Sequence, residues 1–330
     1  MQRRQTLRTL LGTAALSEGL FFTQSPFAQT NYPTKAIRYI VPVSAGGGSD
    51  MIGRTVCERW GRLLGQPMVI DNEGGGGGVI ACQNAAKSSP DGYTLMQGYV
   101  ATLGTSPATR RSLPYDPIKD FTPVGMIGGT PNVLVVHPSV PAKNLKEFID
   151  FIKKNPTSVS YGSSGQGSLT HLTMELFKQV EESPIVHIPY KGIAPAFNDL
   201  MGGQIQAMFP GLAAALPHIR SGRVKALAVT GIARSSQLKD TPTLEELGFK
   251  GFTALQWYGV VGPAGLPAQI VQKLNSTLNL TLSSPELKEK MSIEAVEPMP
   301  MSPDQFSSYI KADLSRWTKL AKDRHIELDN

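Results

Sequence analysis

The stretch YIVPVSAGGGSDMIGRTV, residues 39–56, decides how this chain is read. An apolar run suited to a strand breaks into three consecutive glycines, then Ser49 and Asp50. Beyond them Met51, Ile52, Val56, Trp60, Leu63 and Leu64 recur at helical spacing until Gly65 and Pro67 end the helix. A strand feeding a helix through a loop without side chains is the opening unit of an α/β protein. The alternation recurs almost to the C terminus, so the sequence predicts an α/β architecture with largely parallel sheets. A Pro- and Gly-rich stretch, SLPYDPIKDFTPVGMIGGTP (residues 112–131), reads as a turn-rich separator between two such units.

Three loops share the same character. They are SAGGGSD (44–50), the run EGGGGG (73–78) and SSGQGS (163–168), each standing between a strand pattern and a helix pattern. Where glycine removes the side chain, backbone N–H groups can approach a guest, and the first helical turn adds free donors and a positive dipole end. Such loops suit an anion. The dinucleotide fingerprint G-x-G-x-x-G fails, because Met51 and Val79 stand where its last glycine belongs, and no P-loop motif occurs. A carboxylate remains, met by amides and by hydroxyls such as Ser44, Ser49, Ser163, Ser164 or Ser168. For one loop alone, tight helix-on-strand packing explains the glycines equally well. Loops at the carboxyl ends of strands, two from the first unit and one from the second, point instead to a cleft between domains.

The totals limit the alternatives. At 330 residues and 41% hydrophobic composition the chain can bury one large core or two smaller ones. Its +6 formal charge is spread without a basic block, which argues against nucleic-acid binding. Residues 1–28 read as an export signal, with Arg3 and Arg4 ahead of a mostly apolar stretch and a small-residue end near Ala28. Twin-arginine and general secretory export both fit that pattern. Cys57 and Cys82 read as buried apolar residues, with a single disulfide between them as the alternative. The five histidines show no metal-ligand spacing, so neither a metal nor a cofactor is expected.

An enzyme is the competing class. GSSGQ fails the G-x-S-x-G elbow at Gln166, although Ser163 or Ser164 could still meet His171 or His187 in the fold. His171 falls just inside a helix facing the third loop, where it is either a ligand contact or a structural histidine.

With these residues quoted, the chain resembles the periplasmic substrate-binding receptors of tripartite tricarboxylate transporters, the Bug family. The resemblance runs from about Tyr32 to the C terminus through YPTKAIRYIVPVSAGGGSD, SPDGYTLM, YGSSGQGSLTHLTMELF, HIPYKGIAPAFNDLMGGQIQAMF, DTPTLEELGF and WYGVVGPAGLP. It implies a non-catalytic, exported, monomeric receptor with a two-domain periplasmic-binding-protein-like (type II) fold. Such a receptor closes by a hinge over a small carboxylate and delivers it to membrane permease subunits. Domain 1 would comprise residues 29–130 plus 252–330, and domain 2 residues 131–251, with crossings near Pro131 and Phe252. The ligand loops carry over to Ser44, Ala45, Gly46, Gly47, Ser49 and Asp50, to Gly76 and Gly77, and to Ser163, Gly165, Gly167 and Ser168. Tyr99, Thr102 and Phe209 are candidate cleft walls or packing residues. Glu73 departs from the family, which usually carries arginine there; it either points away from the cleft or changes ligand preference. A hydrolase or transferase acting on a small carboxylate is the alternative function. Which carboxylate binds, from tricarboxylates to amino acids and aromatic dicarboxylates, stays open.

Overall fold

The computed structural model describes residues 31–155 and 158–328; the expected export signal lies outside them. Residues Pro33–Asn330 hold together as one contact unit built on two sheets. The first sheet contains β1 (Ile37–Val41), β2 (Met68–Asn72), β3 (Thr94–Tyr99), β4 (Phe121–Pro131), β10 (Leu255–Pro263) and β11 (Glu297–Pro298), in the order β11-β4-β10-β3-β1-β2. The second contains β5 (Val133–Val136), β6 (Ser160–Ser163), β7 (Val186–Pro189), β8 (Ala207–Met208) and β9 (Lys225–Val229), in the order β7-β6-β8-β5-β9. Between them run α1 (Gly48–Leu64), α2 (Val79–Ala86), α3 (Ser106–Thr109), α4 (Leu145–Lys154), α5 (Leu169–Glu181), α6 (Ile193–Met201) and α7 (Leu212–Arg220). The chain ends in α8 (Ala268–Leu282), α9 (Pro285–Ile293) and α10 (Pro303–Asp323).

Local chemistry explains most of these bounds. In β1, Ile37, Tyr39, Ile40 and Val41 are fully buried, an apolar run broken only by the exposed Arg38 and typical of a strand covered on both faces. Helix α1 stops at Gly65, whose φ of 74° takes the left-handed cap that favours glycine. Asn144 caps α4 by accepting from Glu147 N, and Ser302 with Gln305 closes a capping box on α10.

Two expectations are corrected. The supposed separator contains β4, the longest strand, paired with β10 along its whole length. Its glycines are there for close approach: a Cβ on Gly128 would lie 2.3 Å from the Glu297 carbonyl oxygen. The sheets are mixed rather than largely parallel. The β1-β2, β1-β3, β6-β7 and β6-β8 pairs are parallel, but β4, β5 and β10, which carry the chain between the sheets, make antiparallel pairs.

The two crossings lie side by side. The chain leaves the first sheet at Pro131, enters the second at Val133, and returns between Val229 and Leu255. Asn132 N donates to Thr230 Oγ1 at 2.9 Å, Thr230 N donates to the Asn132 carbonyl at 2.9 Å, and Thr230 Oγ1 donates to the Ala254 carbonyl. Helices α8 and α10 pack on the first sheet. Trp60 Nε1 on α1 donates to Thr277 Oγ1 on α8 at 2.8 Å, and Trp257 Nε1 on β10 donates to Asp313 Oδ2 on α10 at 2.8 Å. Both cysteines are buried and free, and burial raises both thiols, that of Cys82 to about 12.

The contact of α10 with β10 yields the first prediction. A Cβ on Gly259 would meet Phe306 Cζ at 2.1 Å, and Phe306 is itself fully buried. Gly259→Ala should therefore cost about 1–3 kcal/mol, read as a lower urea midpoint at unchanged slope.

Candidate functional site

Two chambers of about 390 and 370 Å3 open between the residues of the two sheets. Ser164, Thr170 and Gln256 line both, so the chambers meet there. The larger is lined by Gly48, Thr130, Tyr258 and Glu294 from the first-sheet side, and by Ile193, Gly211 and Ala213 from the other. The smaller is walled by Gly77, Tyr99, Arg110 and Asn132, by residues 164–170, and by Leu328.

The third loop is built for this position. Gly165 (φ 131°) and Gly167 (φ 73°) take backbone conformations that other residues rarely adopt. Ser168 caps α5 by accepting from His171 N, and its hydroxyl donates to the Gly165 carbonyl at 2.6 Å. Thr170 Oγ1 receives Ser164 N at 2.9 Å, which sets Ser164 at the junction of the chambers. Behind the loop Gly167 N donates to His171 Nδ1 at 3.1 Å. The His171 ring stacks on His187 at 3.9 Å, and His187 Nε2 is 2.7 Å from Ser163 Oγ. Burial lowers both imidazoles to about 4. Ser163 is fully buried, and neither it nor His171 lines a chamber. The Ser–His pair thus braces the loop from behind instead of presenting a nucleophile to the cleft.

Of the other expected residues, Gly77, Tyr99, Gly165, Gly167 and Ser168 line the smaller chamber, and Gly76 is the neighbour of Gly77. Ser44, Ala45, Gly46 and Gly47 are exposed and line neither, although Gly48 at the start of α1 borders the larger chamber. Ser49 is occupied by Gln97 Nε2, which donates to its hydroxyl and to its carbonyl, each at 2.8 Å. Asp50 is buried and accepts from Gly46 N, Arg54 Nε and Asn72 Nδ2. Burial pushes its carboxyl up, but those bonds outweigh burial and hold it below the ordinary range. It is a brace for the first loop. Thr102 is buried, and its hydroxyl donates to the Tyr99 carbonyl. Phe209 lies in the second sheet's core against Phe177 and Phe252; only its carbonyl serves the site, accepting from Asn132 Nδ2 at 2.9 Å. Glu73 accepts from Arg38 and Asn84 and lines neither chamber.

Sequence reasoning passed over many lining residues, among them Arg110, Asn132, Gln256, Tyr258 and Glu294. Arg110 directly follows α3 in the doublet Arg110-Arg111. Its Nη2 is 3.5 Å from where a Gly77 Cβ would stand, its Nε is buried without a partner, and it has no ion pair among the described residues. Asn132, Gln256, Tyr258 and Glu294 come from the crossing, from β10 and from the turn after α9. The Arg110-Arg111 doublet was a readable signal; the others carry none. Arg110 is the one formally charged residue lining the smaller chamber, and Glu294 the one lining the larger. Among the described residues no group of three or more His, Cys, Asp or Glu could hold a metal, and no helix is long and apolar enough to cross a membrane.

Two α/β sheets joined by paired crossings, with a polar cleft between them, define a solute-binding protein of the two-domain periplasmic type. The family model described as the tripartite tricarboxylate transporter family receptor matches residues 52–326, and the chain belongs to that family. It is 35% identical to the protein BugT of Bordetella pertussis over 305 residues, which is 92% of this chain and 94% of that one. Among solved structures it is similar to an R. palustris protein with adipate (35% identity, 91% of this chain and 100% of that chain, TM-score 0.78). It is likewise similar to MatC from Rhodopseudomonas palustris with bound malate (30% identity, 88% and 99% covered, TM-score 0.73). The family is one of periplasmic solute-binding receptors.

Proposed function

We propose that this chain captures a small carboxylate in the cleft and delivers it to the permease of a tripartite transporter, without covalent chemistry. The observation that carries this reading is the smaller chamber. There an unpaired guanidinium, Arg110, shares the chamber with backbone freed by Gly77 ahead of α2 and by Gly165 and Gly167 ahead of α5. The adipate and malate of the two R. palustris neighbours support the same ligand class. In this reading residues 29–130 plus 252–330 and residues 131–251 are the two closing bodies, bending at the Asn132–Thr230–Ala254 seam. The Ser44–Asp50 loop, bordering the larger chamber at Gly48, adds its amides on closure. The mature chain acts in the periplasm as a monomer after its leader is removed near Ala28.

A thermal-shift screen against mono-, di- and tricarboxylates tests the proposal. A receptor is stabilised in proportion to occupancy and leaves the ligand intact. Progressive consumption of the stabilising compound would instead favour a hydrolase or transferase. Gly77 supplies a local check, with its φ of 70° and its place beside Arg110. Gly77→Val should cost about 1–2 kcal/mol of apo stability from the left-handed backbone and remove the ligand-induced shift. A full shift in that variant places the guest elsewhere.

A further inference from the structure

The cleft is polarised end to end. Arg110 is the one formal charge lining the smaller chamber, Glu294 the one lining the larger, and the chambers meet at Ser164, Thr170 and Gln256. The Glu294 carboxylate has no ion pair or hydrogen-bond partner among the described residues, and one of its oxygens stands 3.4 Å from where a Gly48 Cβ would be. It is held there by a turn in which Ala295 takes a φ of 50°, a left-handed position at the end of α9.

Buried acceptors point the same way. Asn132 is 1% exposed, and its Nδ2 is committed to the Phe209 carbonyl and to Thr173 Oγ1, which leaves Oδ1 as its free group. That oxygen is buried without a partner in a residue lining the smaller chamber. Thr130, 2% exposed and lining the larger chamber, has an unpartnered hydroxyl that can donate to a guest or accept from one. Gln256 Nε2 donates to the Tyr258 hydroxyl at 2.6 Å, which leaves its Oε1 facing Gly211 across the junction. An orphaned buried amide oxygen such as Asn132 Oδ1 is costly, and a guest meets it only with an N–H or O–H donor. A dicarboxylate dianion brings none, and its second carboxylate would sit against Glu294.

We propose that the ligand is an aminocarboxylate, its carboxylate held by Arg110 in the smaller chamber and its protonated amine paired with Glu294 in the larger. Glu294 then determines specificity, attracting a cationic terminus and repelling an anionic one. This rests on the cleft being the ligand site, as proposed above.

Titration calorimetry on the mature protein should compare γ-aminobutyrate, δ-aminovalerate and ε-aminocaproate with succinate, glutarate and adipate, pairing chains of similar length. The aminocarboxylate of at least one pair should bind about tenfold or more tighter than its dicarboxylate partner. Glu294→Gln should erase or reverse that ratio while leaving apo melting unchanged. Tighter dicarboxylate binding in the wild type, or a ratio untouched by Glu294→Gln, overturns the assignment and leaves a carboxylate receptor in place. Failure of every member of both series, together with every carboxylate of the wider screen, sinks the receptor reading as well.

Discussion

Arg110→Gln should weaken the carboxylate that most stabilises the wild-type protein by about a hundredfold, with apo melting almost unchanged, because a charge-assisted hydrogen bond in a desolvated cleft contributes roughly 2–3 kcal/mol. The side chain has no competing duty: among the described residues it makes no ion pair, and its Nε is left over inside the protein. A structural arginine would behave in the opposite way, with lost stability and retained affinity. Calorimetric affinities within about threefold of each other, judged against that hundredfold expectation, would remove Arg110 from the site.

The second large effect is on pH. His171 and His187 stack behind the third loop with both rings lowered from 6.5 to about 4, chiefly by burial. Tyr161, Glu175, Lys178 and Arg324 face the pair. Burial pushes the Glu175 carboxyl up, but bonds from Lys178, Tyr161 and Arg324 outweigh it and lower it to about 2. Between pH 6.5 and 4 the unfolded chain binds more protons than the folded one. Stability is therefore full above about pH 6.5 and falls as the pH drops through that window; the histidine part of the loss is complete near pH 4, and loss of the Glu175 contribution continues the decline below it. At pH 5 the loss should be about 2 kcal/mol for His171 and smaller for His187, whose greater exposure screens it. Ligand affinity should fall with it, because a proton on His171 Nδ1 displaces the Gly167 N–H that shapes the chamber. Urea midpoints at neutral pH and at about pH 5 check the slope, and His171→Phe/His187→Phe should flatten it. Equal midpoints for the wild-type protein at both pH values would show that the rings titrate normally.

The sequence made parts of the cleft legible for a physical reason. Gly77, Gly165 and Gly167 line the smaller chamber with backbone alone, and a wall of backbone announces itself as missing side chains. The same signal is ambiguous at residues 44–47, where exposed glycine and hydroxyl residues fold over their own Asp50. Asn132, Gln256 and Glu294 could not be read, because Asn132 sits on the outgoing crossing and the other two reach the cleft only after the chain has returned, and nothing local marks them. The strand at Phe121–Pro131 was hidden by its own composition, since Pro and Gly that signal a turn in isolation also permit close approach to a neighbouring strand. Glu73, the departure from the family pattern, is answered by Arg38 and Asn84, partners no sequence pattern links to it.

The two free thiols have a practical corollary. Cys57 and Cys82 are shielded from solvent and protonated at any physiological pH, so neither oxidants nor reductants find a thiolate to act on. Recombinant material produced in a reducing cytosol should therefore be indistinguishable from material matured in an oxidising compartment, with no foldase needed to sort its sulfur chemistry.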